Sequence, residues 1–256
     1  VWSKRISGRD MREAALKTPP AAATGALLTV RGLEGWYGES HVLHGIDIDV
    51  RTGEVITLLG RNGAGKTTTL RAIIGILGKR AGSIVYDGVE TIRMASRNIA
   101  RLGIGYVPEE RGIFASLTVH ENLMLPPRVK PGGMSVDEIH QLFPNLKERA
   151  GSQGTKLSGG EQQMLAIGRI LRTGAKLILL DEPTEGLAPV IVQQIGRTIQ
   201  QLKAQGYTIV LVEQNFRFAQ TLADRHFVIE QGRVVDMIPN AELDANIDKL
   251  HAYLGV

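Results

Sequence analysis

At 256 residues and 43% hydrophobic content, the chain can bury one large core, enough for a single α/β domain with a subdomain. The 30 Lys plus Arg against 26 Asp plus Glu leave a net charge of +4, too small and dispersed to argue for nucleic acid as a partner. With no cysteine there is no disulfide framework or thiolate metal site, the six histidines lack ligand spacing, and no apolar run approaches the ~18–20 residues that cross a bilayer. Any membrane contact is therefore expected through a partner or the surface.

Residues 1–25 differ from the rest. Lys4, Arg5, Arg9, Arg12 and Lys17 are spread among small residues, and Thr18-Pro19-Pro20-Ala21-Ala22-Ala23 follows as a linker. This stretch is expected to be a solvated basic, Ala/Pro-rich extension, with a basic arm touching lipid headgroups or a partner as the alternative. The fold is expected from residue 26. Leu27-Leu28-Thr29-Val30 predicts a strand, Gly35-Trp36-Tyr37-Gly38 a turn, and the period-two alternation ending 42–50 a half-buried strand. An aromatic at the edge of this antiparallel patch could stack on a purine, Tyr37 before Trp36. Ordinary packing explains either almost as well.

Glu54-Val55-Ile56-Thr57-Leu58-Leu59 predicts a strand feeding Gly60-Arg61-Asn62-Gly63-Ala64-Gly65-Lys66-Thr67-Thr68. This stretch fits G-x-x-x-x-G-K-[ST], the phosphate-binding loop of nucleotide hydrolases. Leu70, Ile73, Ile74 and Leu77 then recur at helical spacing. Glycines let successive backbone N–H groups turn inward, and the helix N-terminus presents partial positive charge to phosphate oxygens. Lys66 is expected to reach the β- and γ-phosphates, and the Thr67 hydroxyl to bind Mg²⁺. The chain therefore binds a nucleoside triphosphate.

Residues 82–88 predict a strand closing into an Asp-Gly turn, and Ile104-Gly105-Tyr106-Val107-Pro108 a short strand that Pro108 ends. Residues 119–150 are polar and proline-punctuated, a helical insertion in pieces. Lys156-Leu157-Ser158-Gly159-Gly160-Glu161-Gln162-Gln163 opens a long helix whose Ser158 and Glu161 match the S-x-x-E capping box. Two glycines there leave N–H groups bare at a positive helix end, so a plain cap and a second phosphate site both fit. Leu177-Ile178-Leu179-Leu180 predicts a buried parallel strand with Asp181 and Glu182 at its carboxyl end, where open α/β sheets bind ligands. Asp181 is placed to hold Mg²⁺ and Glu182 to polarise the attacking water. Pro183 is expected to bias Glu182 toward extended backbone.

Residues 189–205 predict an amphipathic helix with Ile191, Ile195, Ile199 and Leu202 inward, ended by Gly206. Thr208-Ile209-Val210-Leu211-Val212 predicts a buried strand leading to Glu213-Gln214-Asn215 and a helix through Phe218 and Leu222. Residues 227–235 predict a hairpin and 243–253 a helical tail. The fold class is therefore α/β: a P-loop nucleotide-binding core with a mostly parallel sheet, an antiparallel β patch and a helical subdomain.

These motifs in this order resemble the ATP-binding-cassette (ABC) family over residues 27–256. Leu157-Ser158-Gly159-Gly160-Glu161 looks like the signature motif that other phosphate-loop ATPases lack. The resemblance implies a head-to-tail dimer, each ATP held between one subunit's phosphate loop and the other's Ser158, Gly159 and Gly160. It makes Tyr37 the base-stacking aromatic and places the helical subdomain at about 112–170. A narrower likeness, carried by residues 107–111, 158–169, 186–189 and 211–215, is to the second ATPase subunit of bacterial branched-chain (hydrophobic) amino acid importers. Urea-type importers are close relatives. That implies two membrane permease subunits, an external solute-binding protein and a place on the cytoplasmic face of the bacterial inner membrane.

Three positions depart from the general family pattern. Glu109 replaces the glutamine that senses Mg²⁺ and water, Ala188 an aspartate, and Gln214 the histidine that contacts the γ-phosphate. Gln214 donates a hydrogen bond but carries no positive charge, and Glu109 adds repulsion beside the triphosphate unless Mg²⁺ compensates. Slow rather than absent hydrolysis is expected, which suits a heterodimer whose other ATPase has histidine at this position; a homodimer is the alternative. The competing functions are an exporter-driving cassette, a soluble cassette ATPase on ribosomes or DNA, and a gating subunit with little catalysis. Retained Lys66, Asp181 and Glu182 argue for the ATPase.

Overall fold

The computed structural model describes residues 25–255. The basic extension expected over 1–25 lies, apart from Gly25, outside the described residues. Two sheets carry the molecule. The first is antiparallel, in the order β2-β1-β4-β5, from β1 (Ala26–Tyr37), β2 (Ser40–Arg51), β4 (Lys79–Tyr86) and β5 (Val89–Glu90). The second has six strands in the order β10-β9-β3-β8-β7-β6: β3 (Val55–Leu59), β6 (Ile104–Val107), β7 (Leu177–Asp181), β8 (Thr208–Val212), β9 (Arg225–Glu230) and β10 (Arg233–Pro239). All its pairings are parallel except β10 with β9.

The apolar runs of β3, β7 and β8 are buried at every position, as strands covered on both faces must be. Their alternate residues part between two cores. Ile56, Leu58, Leu177, Leu179, Val210 and Val212 pack toward the antiparallel sheet and α1 (Lys66–Ile73). Ile178, Leu180, Ile209 and Leu211 pack toward α6 (Gly159–Arg172) and α7 (Pro189–Ala204). The sheets are also joined by charge. Arg225 of β9 donates to Glu54 Oε1 (2.6 Å) and Oε2 (2.8 Å) ahead of β3, and to Asp49 Oδ2 (3.0 Å) of β2.

The polar stretch 119–150 is helical in pieces, as its composition predicted: α3 (Val119–Met124), α4 (Val136–Leu142) and α5 (Pro144–Glu148). Their buried Val119, Leu123, Ile139, Phe143 and Leu146 close onto Met164, Ile167 and Leu171 of α6.

Several boundaries differ from expectation. β1 runs through Trp36 and Tyr37, so the turn falls on Gly38-Glu39; register shifts within β1 absorb its glycines without ending it. A short helix not anticipated, α2 (Ser96–Leu102), precedes β6. The helix after β8, α8 (Phe216–Gln220), ends before Leu222. The tail is a 3₁₀ turn, Asp244–Asn246, followed by α9 (Ile247–Leu254).

Candidate functional site

The phosphate loop joins the carboxyl end of β3 to α1. Gly65 caps α1 with left-handed backbone (φ 109°), and a Cβ there would stand 3.0 Å from Leu43 Cδ2 and 3.4 Å from Gly232 Cα. No side chain caps α1 and no acid sits in its first turn. Its N–H groups and positive pole are thus left for an external anion, the arrangement that binds phosphate. Lys66 is buried, and its ammonium donates to the carbonyls of Gly60 (2.8 Å) and Arg61 (3.2 Å). The same nitrogen lies 3.6 Å from Glu182 Oε1.

The next residue, Thr67, donates its hydroxyl to Asp181 Oδ1 at 2.8 Å, across from α1 to the end of β7. Asp181 is fully buried; burial pushes its carboxyl pKa up, opposed by the hydrogen bonds from Thr67 and Tyr106. A hydroxyl and a carboxylate meeting here are hard oxygen donors of the kind Mg²⁺ takes. Among the described residues no group of three or more His, Cys, Asp or Glu side chains could hold a metal unaided. Mg²⁺ fits this pair when phosphate oxygens complete its shell, as it usually binds.

Glu182 lies opposite the loop, but not as Pro183 led us to expect. Its backbone is left-handed (φ 46°), while its N–H still donates to Val212 O at 3.0 Å. The strand keeps its pairing to this residue and then must turn; Pro183 disfavours the right-handed turn, leaving the left-handed one. One carboxylate oxygen faces Lys66; the other accepts from Gln214 Nε2.

Behind Gln214, Glu213 is buried and accepts from Thr184 Oγ1 at 2.8 Å, tying the loop that carries Gln214 to the loop after Glu182. Burial pushes the Glu213 carboxyl up to about 7, against hydrogen bonds from Thr184 and the local backbone.

Together these elements enclose a cleft of about 310 Å³ lined by Asn62, Gly63, Gly65, Lys66, Thr67, Thr68, Glu109, Glu182, Glu185 and Gln214, with Val42. Residues far apart in sequence therefore converge as expected, Glu109 among them. Gly60, Arg61 and Ala64 shape the loop rather than line the cleft; Asp181 sits beneath Thr67. Tyr37 is exposed at the edge of the antiparallel sheet, whereas Trp36 is half-buried and stacked on His41 (4.4 Å between centroids). Tyr37 thus presents the more exposed ring, though it is not among the residues that line the cleft.

Ser158, Gly159, Gly160 and Glu161 do not line this cleft. The capping box is present: Ser158 Oγ accepts from Glu161 N (3.3 Å), and Glu161 Oε2 accepts from Ser158 N (2.7 Å). Gly160 also permits close packing, since a Cβ there would stand 2.7 Å from Ile191 Cγ2 of α7. Arg111 donates to Gln162 Oε1 (3.2 Å), linking the Glu109 loop to the start of α6.

Glu185, Glu213 and Tyr106 were missed in sequence. Tyr106 alone had a usable signal, because strand alternation puts it on the α1 side of the edge strand beside Asp181.

Residues 43–185 match the profile of a family described as ABC transporter. The high-affinity branched-chain amino acid transport ATP-binding protein BraG of Pseudomonas aeruginosa is 44% identical over 238 residues, covering 90% of this chain and all of that one. The lipopolysaccharide export system ATP-binding protein LptB of Escherichia coli K12 is 33% identical, covering 90% and 98%. A solved ATP-binding subunit of an ABC transporter superposes with a TM-score of 0.75 at 28% identity, covering 90% of this chain and all of that one. A nucleotide-free ATP-binding cassette, at 23% identity, shares the fold with a TM-score of 0.78. With its phosphate loop, Asp181-Glu182 pair and Ser158-Gly159-Gly160 helix start in one fold, this chain belongs to the ABC transporter ATP-binding family.

Proposed function

We propose that this ATPase powers import of branched-chain or other hydrophobic amino acids from the cytoplasmic face of the bacterial inner membrane, through two permease subunits fed by an external solute-binding protein. Residues 26–256 are one nucleotide-binding domain, with 112–170 as the helical subdomain facing the permease. The observation that carries the substrate reading is the end-to-end likeness to BraG at 44% identity. LptB, an export ATPase by name, keeps the exporter as the second reading. Among the described residues no helix is long and apolar enough to cross a membrane.

In this reading the N–H groups of the phosphate loop and Lys66 bind the triphosphate, and Tyr37 stacks on the base. Thr67 and Asp181 hold Mg²⁺, with Glu109 close enough to sense it. Mg²⁺ supplies charge neutralisation on the phosphate oxygens. Glu182 accepts the proton of the attacking water, and Gln214 fixes its carboxylate and donates toward the γ-phosphate. The partner's signature closes the site, and a second, non-identical ATPase with histidine at the Gln214 position supplies the faster half. The test is reconstitution of the chain with its permease and ATPase partners in vesicles. ATP-driven uptake of labelled leucine, with no uptake of urea, is expected. Uptake of urea alone, or outward movement of a lipid, would overturn the substrate reading.

A further inference from the structure

Asp181 has two carboxylate oxygens and a different donor on each. Thr67 Oγ1 donates to Oδ1 at 2.8 Å, and the Tyr106 hydroxyl donates to Oδ2 at 2.9 Å. The two donors differ in what else they must do. Thr67 is a metal-binding residue in the reading above, so its oxygen serves the cation while its proton stays directed at Asp181 Oδ1. Tyr106 has no such second task, because it reaches Asp181 from the far side of the carboxylate.

The strand that carries Tyr106 explains its aim. β6 is the edge strand, paired in parallel with β7 so that Tyr106 is level with Leu179 and Val107 with Leu180. Gly105 faces the other side, where a Cβ would meet Ile170 of α6; Tyr106 thus faces α1. The Arg71 guanidinium, in the last turn of α1, lies near the same hydroxyl.

We propose that Tyr106 is a positioning residue for the Mg²⁺ site, fixing the orientation of the Asp181 carboxylate by donating to Oδ2 while Thr67 donates to Oδ1. A group hydrogen-bonded to a metal-binding carboxylate sets its orientation, and loss of such a partner typically costs about 10–100-fold in metal affinity or activity. β6 also leads directly into Pro108 and Glu109, so the same strand aligns Asp181 and delivers Glu109 to the cleft. The inference rests on the assignment of Asp181 and Thr67 to Mg²⁺.

The test compares the full chain with Tyr106→Phe, which removes one oxygen and leaves the ring. Mn²⁺ serves as the paramagnetic probe, titrated in the presence of ATP and followed by electron paramagnetic resonance. ATP binding in EDTA is measured alongside. We expect Tyr106→Phe to weaken Mn²⁺ binding by about 10–100-fold while ATP affinity in EDTA stays within twofold. Unchanged Mn²⁺ affinity in the folded variant, or an equal loss with and without metal, overturns the role. Should Tyr106→Phe fail to fold, replacement of Tyr106 by 4-aminophenylalanine, which keeps an N–H donor at the same reach, takes its place: near-native Mn²⁺ affinity is expected, and a hundredfold loss contradicts the proposal. If the wild-type chain bound ATP in EDTA but gained no Mn²⁺ site with it, the metal assignment itself would fail, separately from Tyr106.

Discussion

Gln214 and Glu213 show how one short segment does two different jobs. Gln214 donates to Glu182, so the residue that stands where the resemblance implies histidine is already engaged with the carboxylate proposed to activate water. Histidine could carry the positive charge that glutamine lacks. Gln214→His is therefore expected to raise turnover of the assembled ATPase about tenfold, the equivalent of about 1.4 kcal/mol in the barrier. A variant no faster than the wild type in steady-state phosphate release would contradict this. Glu213 instead acts on stability. Folded, it keeps its proton up to a pKa of about 7; unfolded, it releases it near the ordinary 4.5. Folding takes up a proton between these values, so stability falls as pH rises through that window and then levels off. The change is on the order of 3 kcal/mol at 1.36 per pKa unit. Glu213→Gln removes this dependence, and urea melts at pH 5 and pH 8 should show the variant gaining on the wild type at pH 8. Parallel behaviour would contradict the buried-acid account. Lys66, Thr67, Asp181 and Glu182 were legible because motif spacing fixes them. Glu213 was not, since its role depends on Thr184, 29 residues away, which no local pattern connects to it.

At the scale of elements, what the sequence made plain was periodicity, and what it hid was register. The apolar runs of β3, β7 and β8 announced buried parallel strands, and Ser158 with Glu161 announced the start of α6. The strand through Trp36 and Tyr37 was hidden by Gly35 and Gly38, because glycine signals a turn locally while pairing with β2 and β4 decides the outcome. The junction between sheets was hidden too. Arg225 holds Glu54 and Asp49, all three well buried or partly so, across separations of 171 and 176 residues. Arg225→Met leaves two carboxylates without their partner. It is expected to destabilise the chain by about 3–5 kcal/mol, the cost of stripping one side from a buried ion pair. A loss below about 1 kcal/mol in denaturant melts, the range of exposed ion pairs, would show that the junction is held by packing alone.

The whole molecule brings six segments to one cleft: β2 at Val42, the phosphate loop, the Glu109 loop, the end of β7, the loop after it and the Gln214 segment. Four acids stand around a single buried lysine there, counting Asp181 beneath Thr67, so a triphosphate arriving without Mg²⁺ meets net negative charge. That is the physical reason for Mg·ATP rather than free ATP as substrate. The signature residues do not line this cleft, and in the proposed reading a second subunit supplies them. Hydrolysis of ATP in this chain's own cleft is tested most directly by phosphate release from the assembled transporter carrying Glu182→Gln in this chain only. Loss of a general base predicts turnover from this cleft lowered about 10²–10⁴-fold, leaving only what the partner's site supplies. With the partner's glutamate also changed, release should vanish. Release unchanged by Glu182→Gln in that background would contradict the account and make this chain a nucleotide-gated subunit.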